Sequence, residues 1–215
     1  KTSAGGKDFF VIQLGQNGNL QNVQSAGNVN DDYAISITCV ASQYWISGNF
    51  KGTVDFDFGS TTNNLVSNAA TYDVFTLRIN SLFNYLGVLQ LGGNTETDIP
   101  KEIASFNSSS IYQFGGFDGS VDFNPSSGLS LVYTVSDYTP FVQKFDNSGN
   151  LIWAKAFQYT SNSTFRPVRM VVSQDGDIFL VFEFSGTIDV DPNPNNSLLL
   201  TSPSTLLHHC LIQLD

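Results

Sequence analysis

Three phrases of nearly the same wording stand 67 residues apart in this chain of 215: GTVDFDFGS from Gly52, GSVDFNPSS from Gly119 and GTIDVDPNP from Gly186. A second phrase keeps step with the first. It reads DFFVIQLGQNGNL from Asp8, DVFTLRINSLFNYL from Asp73 and PFVQKFDNSGNLIW from Pro140, with a shortened copy, HCLIQLD, from His209. Leu14, Ile79, Phe145 and Leu214 hold one position in these copies. A fixed period with small insertions marks a repeat protein whose units cannot bury their apolar faces alone and must stack.

Within one period every signal is β. AISITCVA (Ala34–Ala41) alternates Ile35, Ile37 and Cys39 with Ser36 and Thr38, and YWISGNF (Tyr44–Phe50) follows after a short turn. The VDFD phrase, an Asn-rich loop, YDVFTLRI (Tyr72–Ile79) and YLGVLQLGG (Tyr85–Gly93) complete the unit. Short β-branched and aromatic runs between Asn, Gly and Asp clusters read as an antiparallel meander. GQNGN (15–19) and DNSGN (146–150) read as hairpin turns, because Gly and Asn tolerate positive φ. Four such strands per period are the plan of a propeller blade. A two-sheet sandwich could use the same strands, but would not need the periodicity.

The expected fold is therefore all-β: a β-propeller-like stack of four-stranded antiparallel blades, about three repeats of about 66 residues, not closed by itself. Residues 1–26 form an N-terminal strand pair, 27–93 and 94–160 two whole blades, and 161–215 an incomplete third. Closed propellers generally need about four to eight blades. Three arrangements stay open: a segment of a longer protein, blades completed between molecules in a filament or array, or a closed oligomer. The N-terminal strands are expected to pair with the C-terminal unit ending near Leu214, of the same chain or of a neighbour, since an isolated two-stranded hairpin is marginal in water.

DDYAISITCVASQYWISGNFKGTVDFD followed by DVFTLRI, and above all FVQKFDNSGNLIWAKAF, resemble the bacterial SBBP-type β-propeller repeat. The resemblance extends over essentially the whole chain in three copies. Residues 141–153 match best, and the second copy departs, with NSLFNYL where Gly-Asn is expected. It implies a secreted or cell-surface protein with no catalytic residues to carry over.

Composition narrows the partners. Nine Lys and Arg against 19 Asp and Glu give a net charge of −10, which repels nucleic-acid backbones and anionic membranes. No apolar run reaches membrane-span length. The chain opens Lys-Thr-Ser without a visible signal peptide, as a processed chain or a piece of a longer one would. Cys39 and Cys210 read as buried free thiols, with a bridge between them left open.

Candidate chemistry is sparse. In DVDPNPN, Asp189, Asp191, Asn193 and Asn195 alternate as oxygen ligands of a calcium loop would; the competing reading is turn chemistry, and no cofactor besides calcium is expected. His208 and His209 are strand neighbours facing opposite sides and cannot chelate one metal. The glutamates are Glu96, Glu102 and Glu183; Glu183 breaks the repeat and is the one acid worth testing. Neither paired glycosidase carboxylates nor a His-paired nucleophile stands out, so the reading is non-enzymatic. Asn107, Asn162 and Asn195 head glycosylation sequons at about the frequency that chance gives. Trp45, Trp153, Tyr44, Tyr85, Tyr133 and Tyr138 could stack on sugars or fill the core. The expected function is an extracellular structural or adhesive module that binds itself or adjacent repeats through sheet edges. A carbohydrate-binding propeller is the alternative, with glycans as partners.

Overall fold

The computed structural model describes residues 1–68, 71–93, 98–124, 131–159, 163–203 and 205–214. It is all-β, with no α-helix among the described residues. Strands β1 (Phe9–Leu14) and β2 (Leu20–Ala26) form a hairpin. The first sheet holds β3 (Tyr33–Val40), β4 (Gln43–Phe50), β7 (Asp73–Asn80) and β8 (Tyr85–Leu91), with a short ribbon of β5 (Thr53–Asp55) and β6 (Asn64–Val66) between its second and third strands. The second repeats this plan with β9 (Ile99–Phe106), β10 (Ser110–Phe117), β13 (Thr139–Asp146) and β14 (Leu151–Ala156), and a ribbon of β11 (Ser120–Asp122) and β12 (Val132–Thr134). The third has β16 (Thr164–Val172), β17 (Ile178–Ser185) and β20 (His208–Leu214). Its ribbon pairs β18 (Thr187–Asp189) with β19 (Leu199–Thr201), and β15 (Gln158–Tyr159) adds to it. Pairing is antiparallel throughout and none of the sheets is closed.

The hairpin and sheets stack in chain order, face on face. Each sheet has a front, turned toward the element before it, and a back, turned toward the next. Phe9, Val11 and Ala26 on the hairpin's back meet Ile46, Phe50, Phe75 and Leu77 on the front of the first sheet. Val74 and Leu91 on that sheet's back meet Phe117 and Phe141. Tyr112, Phe114 and Val142 meet Leu180, Phe182 and Phe184. First strands also stack: Ser36 donates its hydroxyl to Glu102, whose other oxygen lies 3.5 Å from Arg169, so one carboxylate links β3, β9 and β16.

The repeated phrase holds buried apolar residues at each copy. Val54, Val121 and Ile188 are each 0% exposed, with Phe56, Phe123 and Val190 buried beside them. Each ribbon folds back to seal the rim of the apolar layer. At roughly 25 cal/mol per Å2, burying such a side chain contributes about 1.5–3 kcal/mol, enough to select the phrase in every repeat.

The turns follow one design. Gly18 (φ 76°) and Gly149 (φ 91°) occupy the left-handed position of loops closed by Gly15 N–H to Asn19 O and Asp146 N–H to Asn150 O. The second copy keeps that loop, with Asn80 N–H to Asn84 O, although Phe83 stands at the glycine's place with φ 63°. Its ring is buried edge-on against Tyr44, which offsets the backbone cost.

Two expectations need correction. The hairpin β1–β2 does not pair with β20 of its own chain; it stacks on the first sheet, and β20 pairs only with β17. Stacking wins because Phe9 and Val11 find a preformed aromatic surface in Phe56 and Phe75. Cys39 is exposed rather than buried, because β1–β2 leaves the front of β3 uncovered; Cys210 is partly buried, and both are free.

Candidate functional site

The Asp-rich loops are built from backbone satisfaction. Asp189 Oδ1 accepts from Asp191 N at 3.1 Å and Leu198 N at 2.9 Å. Asp55 and Asp122 do the same with Asp57 and Asn63, and with Asn124 and Leu131. Along DVDPNPN the pattern continues: Asn193 N donates to Asp191 Oδ1 and Asn195 N to Asn193 Oδ1. The alternation of oxygens therefore generates a succession of Asx turns. Among the described residues no cluster of three or more His, Cys, Asp or Glu side chains is placed to hold a metal ion.

The other sequence candidates are dispersed. Asn107 sits exposed in the β9–β10 turn (φ 53°) and accepts from Ser109, while Asn195 is exposed at the tip of the third ribbon. Asn162 and Glu96 lie outside the described residues. His208 packs on Phe184, whereas His209 lies 4.0 Å from Glu183. Trp45 is fully buried between Phe145 and the Arg78 guanidinium, so it is no sugar platform; Trp153 and Tyr133 are partly buried in the stack.

Residues of the second and third repeats, Ile99, Pro167 and Val168 among them, border an open, mainly polar cleft of about 820 Å3. Lys101, Asp118, Asp137, Tyr138, Arg166 and Glu183 line it. Tyr138 lies over Gly116, where any Cβ would collide with its ring. Burial, and then the nearby Asp98 carboxyl, raise the Tyr138 phenol far above its ordinary range, so it is a neutral donor. Asp98 is buried beneath the cleft and accepts from Gly93 N at 2.9 Å and Asp118 N at 3.2 Å, which fixes the backbone that carries Asp118. Burial pushes the Asp98 carboxyl up to about 7. Carboxylates, two cations and a phenol thus face one open cleft. Apart from Glu183 and Tyr138, which the sequence offered separately, sequence reading missed these positions as a site. The available signal was that Asp118 and Glu183 replace other residue types in the matching repeat columns.

The two ends of the stack form the other exposed feature. The hairpin's front shows Phe10 at 42% and Ile12 at 58% exposure, and the third sheet's back shows Val171 at 61% and Leu211 at 66%. Neither family models nor curated proteins give a match to this chain. The SBBP-type resemblance thus rests on the quoted residues.

Proposed function

We propose that this chain is a non-enzymatic structural module of a propeller-like repeat protein that adheres end to end, front face on back face. The observation that carries the reading is positional. Ile12 holds the place that Leu77 holds one repeat later, and Leu77 is 0% exposed; Leu211 holds the place of Val142, also 0% exposed. The two ends thus present the two halves of the interface that the molecule makes internally. β20 is the outer strand of its sheet, beside the apolar back, and sheet edges are templates for strand addition. A second copy is the occupant whose surface matches: its Ile12 face is the kind of surface that covers a back face within the chain. Such a contact is heterologous and propagates as a filament instead of closing. A surface or secreted setting is the one that the SBBP resemblance implies.

Electron microscopy and light scattering of the purified chain test this. Concentration-dependent linear particles are expected. A protein that stays monomeric at high concentration would sink the proposal.

A carbohydrate-binding reading has one observation in its favour, the polar cleft around Tyr138 and Glu183. A glycan array separates the two: a specific hit lost in Glu183→Gln and Tyr138→Phe moves the assignment to a lectin-like module.

A further inference from the structure

Strand β1 is a third strand that stands without its second. In all three sheets the second strand pairs with the third in one register: Ile46 opposite Leu77, Gln113 opposite Gln143 and Leu180 opposite Ile212. Ile12 holds the place of Leu77, yet β1 pairs with β2 alone. Beside it runs a groove of about 430 Å3, lined by Phe10 and Ile12 and by Ile35, Ile37 and Ile46 of the first sheet.

The later repeats fill the same place. Ile37, Ile103 and Met170 form one column, paired across to Ile46, Gln113 and Leu180. Ile103 is buried in one cluster with Trp45, and Met170 in one with Tyr112. Ile37 is 56% exposed. Trp45 and Tyr112 are equivalent residues on the backs of β4 and β10, so what the groove lacks is the back of a second strand.

Cross-strand size adds a rule. Gly48 lies opposite Phe75, and Gly115 opposite Phe141. A Cβ at Gly48 would stand 2.5 Å from the Phe75 ring, and one at Gly115 would stand 2.9 Å from that of Phe141. Where the third strand carries Cys210 instead, the second carries Phe182. Phe10 holds the place of Phe75, so a strand paired with it needs glycine there.

We propose that the groove takes an extended segment of another polypeptide, added antiparallel along the outer side of β1. It carries an aromatic residue over Ile37 and, three positions later, a glycine opposite Phe10. A second copy of this chain is not the donor, because β4, β10 and β17 are each paired on both sides. Main-chain bonding to the strand gives affinity, and pockets for alternate side chains give selection. End-to-end association uses the faces of the stack, and the groove does not depend on it.

The test titrates a synthetic peptide of residues 109–118, SSIYQFGGFD, into the whole chain, diluted until light scattering shows monomer. Two lysines at each end keep the peptide soluble. The methyl resonances of Ile35 and Ile37 should shift saturably, while those of Val171 on the far end of the stack stay in place. Peptides with Tyr112→Ser or Gly115→Phe should each bind roughly tenfold more weakly or worse, as should the parent peptide to a chain carrying Ile37→Glu. The proposal is overturned by an absence of saturable shifts, by an equal response at Val171, or by undiminished binding of the Gly115→Phe peptide. Shifts of Ile35 and Ile37 that grow with the concentration of the chain alone overturn it too, since a second copy would then fill the groove. Should Ile37→Glu not fold, the three peptides on the wild type decide the matter.

Discussion

Leu211 and Val142 occupy the same place in successive sheets, each paired across to the second strand, yet Leu211 is 66% exposed and Val142 is fully buried. The difference comes from the neighbour, since Val142 has the third sheet over it. Thr76 and Val11 are covered likewise by the second and first sheets, so Leu211 is the exception in a column of four.

That contrast makes opposite predictions for two substitutions. Leu211→Glu should change folding stability by no more than about 0.5 kcal/mol, as exposed substitutions do, while suppressing end-to-end assembly. Val142→Ala should cost about 1–3 kcal/mol and leave assembly of the folded fraction intact. Thermal melts with light scattering on both variants check this, and assembly unchanged in Leu211→Glu would count against front-on-back association.

The aspartates of the ribbons should act as backbone acceptors. Asp189→Ala removes the acceptor of two backbone N–H groups, those of Asp191 and Leu198, at a cost of about 0.5–1.5 kcal/mol. Asp122→Ala should cost a similar amount, since it accepts from Asn124 and Leu131. Calcium should leave the melting temperature of the wild type unchanged. A calcium-dependent rise that Asp189→Ala and Asp191→Ala both remove would establish a metal loop; at about 100 times its Kd a ligand adds about 2.7 kcal/mol.

The strands and their period were legible because alternation and spacing are local signals: β3, β7 and β13 fall where Ile35–Cys39, Val74–Ile79 and Phe141–Phe145 alternate or recur. Partner choice was not legible for the hairpin. Phe9 and Val11 face one side and Phe10 and Ile12 the other, so both faces are apolar and nothing local says whether edge or face is satisfied. The burial of Val54, Val121 and Ile188 was hidden because three-residue strands are too short to show a period. The polar cleft and the buried, hydrogen-bonded pair Gln113 and Gln143 draw on residues far apart in sequence. Comparing the copies column by column would have marked that pair, since Ile46 and Leu180 flank Gln113 in its column.

Phe83 sets backbone strain against burial. A non-glycine residue in the left-handed region costs about 1–2 kcal/mol, and Phe83→Gly would relieve that. It would also remove a ring that is 4% exposed and packed on Tyr44, where a buried Phe truncation costs about 3–5 kcal/mol. The second effect is larger, so Phe83→Gly should destabilise by roughly 1–4 kcal/mol despite matching Gly18 and Gly149. Chemical denaturation measures it, and a stabilised variant would show that the strain exceeds the packing.

Stability should fall as pH rises through the neutral range. Burial raises the carboxyl of Asp98 to about 7 and that of Asp73 to about 6, against 3.8 for the ordinary group. Between pH 4 and 7 the folded chain therefore holds protons that the unfolded chain has released, and the slope of unfolding free energy with pH is negative. The contribution is fully present below about pH 4 and gone above about pH 7. For Asp98 a shift of this size is on the order of 4 kcal/mol. The Asp73 carboxyl adds a smaller contribution to the rise of Asp98, after burial. Asp57 works in the other direction and at lower pH: the Thr61 hydroxyl and Gly59 N–H hold it below the usual range, so its contribution is lost only as pH falls through that lowered value. Denaturation midpoints from pH 4.5 to 8 should decline and then level off. Asp98→Asn should remove most of the slope, at the cost of one acceptor for Gly93 N or Asp118 N. A midpoint that rises over this range, or a slope unchanged in Asp98→Asn, would place the buried proton elsewhere.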